Sequence, residues 1–395
     1  MTWISLSGWI VALLVAGAAP GAADKVEVCG KLQAPDTTSI LCGMYGGTLA
    51  GVERLPQLNE ITFFRPGPEV DFGVLATLPG LRQLEITSPE REAFDLARLP
   101  ALPQVIGLTL GGELDLTRVD RFPNVETLYL PAEAPTSLAP LGVLTHLKTL
   151  RVNARGKALS GLDALPKSLE ELSLTVADMS QAGCPGHLPA LRRLKLDSSA
   201  QLGCLGGLPK LVSLEVSTDD LSAFATGFPA LTALTLYTSA TDLAPLGQLG
   251  ELEYLVLHAR EATDFSPLAH LTKLTWLGLG GCKGLATLHW VTPLVGLQTL
   301  AAPHTAVTDI SPIASLVDLT ALDLKETDVA DIKVLSGLRK LESVNLSFTK
   351  VRSLVPLYDH PALTSLGLHL VRVPRAQLAR VKRGTKGLTI DNKRE

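Results

Sequence analysis

From Leu58 to Leu368 the chain repeats one pattern of apolar and variable positions fifteen times: an aliphatic residue, two variable ones, an aliphatic, one variable and a last apolar residue. Leu147-Lys-Thr-Leu150-Arg-Val152, Leu191-Arg-Arg-Leu194-Lys-Leu196 and Leu319-Thr-Ala-Leu322-Asp-Leu324 are three copies. The copies begin at 58, 81, 105, 125, 147, 169, 191, 211, 231, 252, 274, 297, 319, 341 and 363, so the step runs from 20 to 24 residues with a mean of 21.8. All 45 anchor positions are apolar in a chain that is 46% hydrophobic, so composition alone does not produce the pattern. The fourth and sixth positions are apolar around a variable fifth, which predicts a short strand with one buried face. Strands this far apart in sequence are parallel and need a crossover. Units that bury their apolar face only against their neighbours stack into one continuous solenoid, so one domain is expected rather than two.

The crossovers carry a second, weaker phrase with Pro seven residues before the next anchor: Leu138-Ala-Pro140-Leu, Leu243-Ala-Pro245-Leu, Phe265-Ser-Pro267-Leu, Ile310-Ser-Pro312-Ile and Leu354-Val-Pro356-Leu. Thr-Asp often precedes it, as at Thr241-Asp242, Thr263-Asp264 and Thr308-Asp309. Ser or Asp followed by Pro starts a helical turn, because the side-chain oxygen accepts from a free amide and Pro lacks the donor that would go unpaired. With so few residues available the turn is predicted to be 3₁₀. The fold class that follows is an α/β solenoid: a leucine-rich repeat horseshoe or arc with a parallel concave β-sheet, short 3₁₀ or irregular convex segments, and about 15–16 rungs.

The stretch Thr308-Asp-Ile-Ser-Pro-Ile-Ala-Ser-Leu-Val-Asp-Leu-Thr-Ala-Leu-Asp-Leu resembles the 22-residue repeat of the internalin-like bacterial leucine-rich repeat proteins, and the likeness covers about residues 58–390. The resemblance implies an exported solenoid whose concave sheet grips a protein partner. It also implies Asn at the bend, two residues beyond the seventh position, where this chain has Arg260, Cys282, Thr305, Thr327 and Thr349. Thr and Cys can serve the bend backbone; Arg260 cannot do so in the same way, so looser turns are expected there.

Residues 1–23 carry no charged side chain and contain an apolar run from Trp9 to Ala19, followed by Pro20-Gly-Ala-Ala23 and the charged Asp24-Lys25. This predicts a secretory signal peptide at 1–23, despite the missing basic residue at its start. The expected organisation is signal peptide 1–23, N-terminal cap 24–57, repeats 58–370 and a C-terminal cap rung 371–395. Thr385-Lys-Gly-Leu388-Thr-Ile390 falls 22 residues after the copy at Leu363 and reads as a degenerate sixteenth rung. Before it, Pro374–Arg383 can form a short helix that buries Leu378 and Val381. No later apolar run reaches the ~20 residues of a membrane span, so no membrane insertion is expected after cleavage. Periplasmic, cell-surface or secreted localisation follows.

Net charge is -4, with eight Lys or Arg against Asp391 and Glu395 from Val371 onward. That segment therefore holds +6 and the rest -10. No basic stripe crosses the main surface, so nucleic acid is not an expected partner.

Of five cysteines, Cys29 and Cys42 are expected to staple the N-terminal cap. Cys184 and Cys204 each lie seven residues before an anchor and hence at equivalent places on adjacent rungs. Their Cα atoms should be ~5 Å apart, which suits either a disulfide or two stacked thiols. Cys282 is left over as a buried bend residue. There is no CxxC pair, Walker loop, GxSxG elbow or HExxH sequence, so no metal, cofactor or catalytic residue is expected.

Function then falls to the concave positions, the third, fifth and seventh of each copy. Most are small or polar, but Tyr237, Tyr254, His258 and Trp276 gather on three consecutive rungs, with Tyr254 and Trp276 in one column. Tyr and Trp bury large areas with few rotors, which favours a protein or peptide ligand here. The competing reading is that these rings merely cover small neighbours such as Ala233 and Gly278. A second candidate is the charged strip of Arg151, Glu171, Arg193 and Lys195, against ordinary solvated charges. The expectation is a monomeric, non-enzymatic recognition module, with a structural envelope scaffold or a glycan binder as alternatives.

Overall fold

The computed structural model describes residues 25–43, 48–88, 94–112, 115–131, 136–178, 182–199, 205, 208–385 and 387–392. The expected signal peptide therefore lies outside the described residues, as does Cys204. A small antiparallel pair, Val26–Val28 with Lys31–Gln33, opens the fold. Seventeen parallel strands follow in one sheet, each hydrogen-bonded to its neighbours in chain order from Ser39–Cys42 to Thr389–Asp391. No described pair joins the first of these strands to the last, so the sheet is open and its ends are edges. At ~4.8 Å per strand it is about 75 Å long.

The register follows the repeat. Leu255 pairs with Leu277, Leu277 with Leu300, Leu300 with Leu322 and Leu322 with Val344, so each anchor packs on its counterpart one rung away. All 45 anchors are buried. Leucine dominates because a stack of like positions needs a side chain that packs on copies of itself without polar atoms.

The convex side is built of 3₁₀ turns, and the single α-helix among the described residues is Arg375–Gly384 at the C-terminal end. One detail differs from the expected capping. In Asp264-Phe-Ser-Pro, Ser266 does not cap; its own amide donates to Asp264 Oδ1 at 2.9 Å, and Ser266 is the first residue of the turn. Asp242, Asp309 and Asp331 act likewise on Ala244, Ser311 and Lys333. Asp two residues ahead is the better acceptor because it is charged and reaches the amide without entering the helix.

The bends divide the solenoid. Strands from Ser39–Cys42 to Tyr254–Ala259 hold four to ten residues, whereas those from Trp276–Gly278 onward hold three. After the short strands the chain turns through a left-handed residue, at Gly281, His304, Glu326, Phe348 and Leu370. The residue that follows in three of these bends is a buried threonine whose hydroxyl donates to a carbonyl three residues back. These bonds run from Thr305 to Ala302, Thr327 to Leu324 and Thr349 to Leu346, at 2.8, 2.7 and 2.6 Å. Cys282 fills the same place as a buried thiol, 3.3 Å from Leu257 O. Arg260 sits exposed immediately after the last long strand, Tyr254–Ala259.

Both ends carry capping elements. Cys29 and Cys42 form a disulfide with Cα atoms 5.1 Å apart. Cys184 is also disulfide-bonded. At the other end Thr389–Asp391 pairs with Ser365–Gly367, and the helix buries Val381 and half-buries Leu378. His360 is packed into this end at 2% exposure, its Nε2–H donating to Leu338 O at 2.9 Å while Nδ1 is buried without a partner. Burial, and secondarily the nearby Arg339 charge, push its pKa below the ordinary 6.5, against the pull of the Leu338 carbonyl. A His whose folded pKa is depressed binds its proton more readily when unfolded. Its stabilising contribution is therefore complete above about pH 6.5 and is lost as pH falls toward the folded pKa. The protection of amides over 353–385, taken relative to their intrinsic exchange rates at each pH, is expected to fall on acidification through that window, and His360→Gln, which keeps a donor but does not titrate, is expected to remove this pH dependence.

Candidate functional site

The concave face is made of the third, fifth and seventh positions, which alternate with buried anchors along each strand. Register brings the predicted aromatics together in two stacks. Tyr254 and Trp276 are paired residues of adjacent strands, with ring centroids 4.5 Å apart and planes 21° apart. Tyr237 and His258 are paired one rung earlier, at 4.7 Å and 11°. The second stack was equally legible, since both residues hold the seventh position. His258 is fixed further by Nδ1, 3.0 Å from Gly280 O. As the partner is a carbonyl, Nδ1 carries the hydrogen. Gly278 explains the pose of the tryptophan: a Cβ there would lie 2.6 Å from the far edge of the indole, so the ring rests on bare backbone. Tyr237 and Tyr254 are 45% and 39% exposed, so stacking orders the rings without removing them from solvent.

One rung beyond Trp276 the face changes character. A trough of about 620 Å³ runs along the sheet over Thr299, Ala301, Ala321, Ser343, Ser365 and Gly367, with Asp323 and Asn345 in its floor and Lys325, Phe348 and His369 along the bend side. The trough exists because these concave residues are small. Its signal in the sequence was the run of small third-position residues, which appeared there only as an absence of bulk.

The charged strip has a different geometry. Glu171 sits between the two arginines, in an ion pair with Arg193 and 3.9 Å from Arg151, while Lys195 reaches Glu215 at 2.7 Å. A cavity of about 520 Å³ lies over these residues. Each cation here meets a carboxylate of its own face, and such exposed pairs contribute only ~0–1 kcal/mol to stability. Among the described residues no group of three or more His, Cys, Asp or Glu is placed to hold a metal ion. No described helix is long and apolar enough to cross a membrane.

Solved structures with this architecture include bacterial leucine-rich repeat proteins. An internalin, inlF of Listeria monocytogenes, superposes with a TM-score of 0.56 at 21% identity, covering 85% of this chain and 89% of that one. The fold is internalin-like. A leucine-rich repeat protein of Leptospira interrogans gives a TM-score of 0.57 at 18% identity over 90% of both chains. The functional domain of InlJ from Listeria monocytogenes, which includes a cysteine ladder, gives 0.54 at 17% identity over 81% of this chain and 70% of that one. No protein-family model matches the sequence, and no curated protein matches it. The internalin-like repeat thus rests on shape and period, and the residues that face the concave side are this chain's own.

Proposed function

We propose that this chain is an exported, non-enzymatic recognition module that binds a protein or peptide on its concave face, centred on Tyr254 and Trp276. The observation that carries the reading is the pair of ordered, exposed aromatic stacks standing at the head of a trough of small side chains. A large rigid surface beside an open channel suits an extended segment or a protruding edge of a partner, with aromatic anchors supplying most of the affinity. An internalin-like solenoid is a protein-interaction architecture, which is consistent with this reading. The Cys29–Cys42 disulfide is consistent with an oxidising compartment.

The test is a crosslinking recovery from the native envelope and secreted fractions with wild-type protein and the Tyr254→Ala, Trp276→Ala double variant, after both are shown to melt alike. A protein held by the wild type and reduced about tenfold or more with the variant is expected, since truncating two such anchors removes at least ~1.4 kcal/mol. Partners recovered equally by both would place the contacts on the convex face or the ends and favour a structural scaffold.

A further inference from the structure

Asp219, Ser239, Arg260 and Cys282 hold the same place on four successive rungs, two residues beyond the seventh position. Cys282 is buried there, and Asp219 accepts the amide of Ser239 at 2.6 Å. Arg260 is exposed, and among the described residues its guanidinium has neither a hydrogen-bond nor an ion-pair partner. An exposed arginine alone would be an ordinary solvated charge. This one stands where the long strands give way to the tight bends, and the step leaves a cavity of about 440 Å³ lined by Asp219, Tyr237, His258, Arg260, Gly280 and Gly281.

The walls of that cavity are held. Tyr237 and His258 stack on each other, and the His258 bond to Gly280 O keeps the imidazole upright. On the far side Gly280 and Gly281 present bare backbone, and Gly281 takes the left-handed turn at φ 77°. Tyr254 lies on the same strand and face as His258, so the cavity continues the aromatic surface.

We propose that this cavity is the specificity pocket of the concave face and takes an Asp or Glu carboxylate of the bound protein segment onto Arg260. The inference rests on the concave recognition proposed above and adds the chemistry of its partner. A guanidinium offers a planar fork of donors that matches a carboxylate through two parallel bonds. Arg260 is the one permanent cation among the lining residues, and Asp219 adds a negative charge to the wall. Both features fit a singly charged planar group better than a doubly charged phosphate.

A random peptide library displayed on phage, selected against the full chain, tests this together with the variants R260Q and Y254A/W276A. The wild type is expected to select peptides with a recurrent Asp or Glu. Exchanging that acid for its amide is expected to weaken binding about tenfold or more, as removal of a charge-assisted hydrogen bond does. R260Q is expected to bind the acid and amide forms equally. Peptides that need Tyr254 and Trp276 but show no acid, or whose acid matters equally to R260Q, overturn the pocket while leaving the concave reading intact. Tighter binding of a phosphoserine exchange overturns the choice of carboxylate. Failure to select any peptide sensitive to Y254A/W276A counts against the concave reading and the pocket together.

Discussion

Leu300→Ala is expected to lower the unfolding free energy by about 2–5 kcal/mol. Leu300 has no exposed surface and pairs in register with Leu277 on one side and Leu322 on the other, both of them also buried. Truncating it leaves a void flanked by two like leucines on separate rungs, and strands held on both sides cannot close around it. The cost should therefore sit toward the upper part of the range rather than the relaxed end. Leu41→Ala is the contrast: Leu41 holds a concave fifth position and is 52% exposed, so its change should stay within about 0.5 kcal/mol. Chemical denaturation of the two variants measures the difference. Because a solenoid is coupled only between neighbours, hydrogen exchange should show the Leu300→Ala loss spreading from Trp276–Gly278 and Ala321–Asp323 outward. Comparable losses for the two variants would mean that register does not decide burial here.

The ease with which this fold was legible has the same origin. A repeat writes each core position many times, so the anchors needed no tertiary information, and the register that pairs Tyr254 with Trp276 followed from counting alone. What was illegible lies where the pattern lapses. The strand Ser39–Cys42 is a full member of the sheet, with Ile40 opposite Ile61 and Cys42 opposite Phe63, yet the place of its first anchor is held by Thr37, so the phrase did not announce it. Its buried members are a disulfide cysteine and one isoleucine, which do the work of leucines at the end of the stack.

The concave surface was legible in part. Large aromatics in known columns are visible in sequence, whereas an open volume is a property of what is missing from several rungs at once. The trough over Thr299, Ala321 and Ser343 needed the folded chain to appear. So did the consequence of Arg260. The sequence marked it as a poor bend residue, but only the change from six-residue to three-residue strands at that point turns a poor bend into a cavity.

Opening the Cys29–Cys42 disulfide is expected to cost about 3 kcal/mol, confined to the N-terminal end of the solenoid. The two cysteines are 13 residues apart, and closing a loop of that size removes roughly this much free energy from the unfolded chain. The loss should be local because the bond ties the small antiparallel pair, with Val26 and Val28 buried, to the first strand of the main sheet. That strand has a neighbour on one side only, Glu60–Phe64, so without the tie it is the natural place for fraying to begin. Serine replacements would also set hydroxyls where buried sulfur now packs, so the cleaner experiment is the Cys29→Ala, Cys42→Ala variant. Hydrogen exchange of residues 25–64 is expected to quicken by two orders of magnitude or so, the kinetic equivalent of about 3 kcal/mol under equilibrium exchange, while Ala321–Asp323 keeps wild-type protection. Equal loss at both places would mean that the solenoid unfolds as one unit and that its N-terminal end nucleates the whole stack.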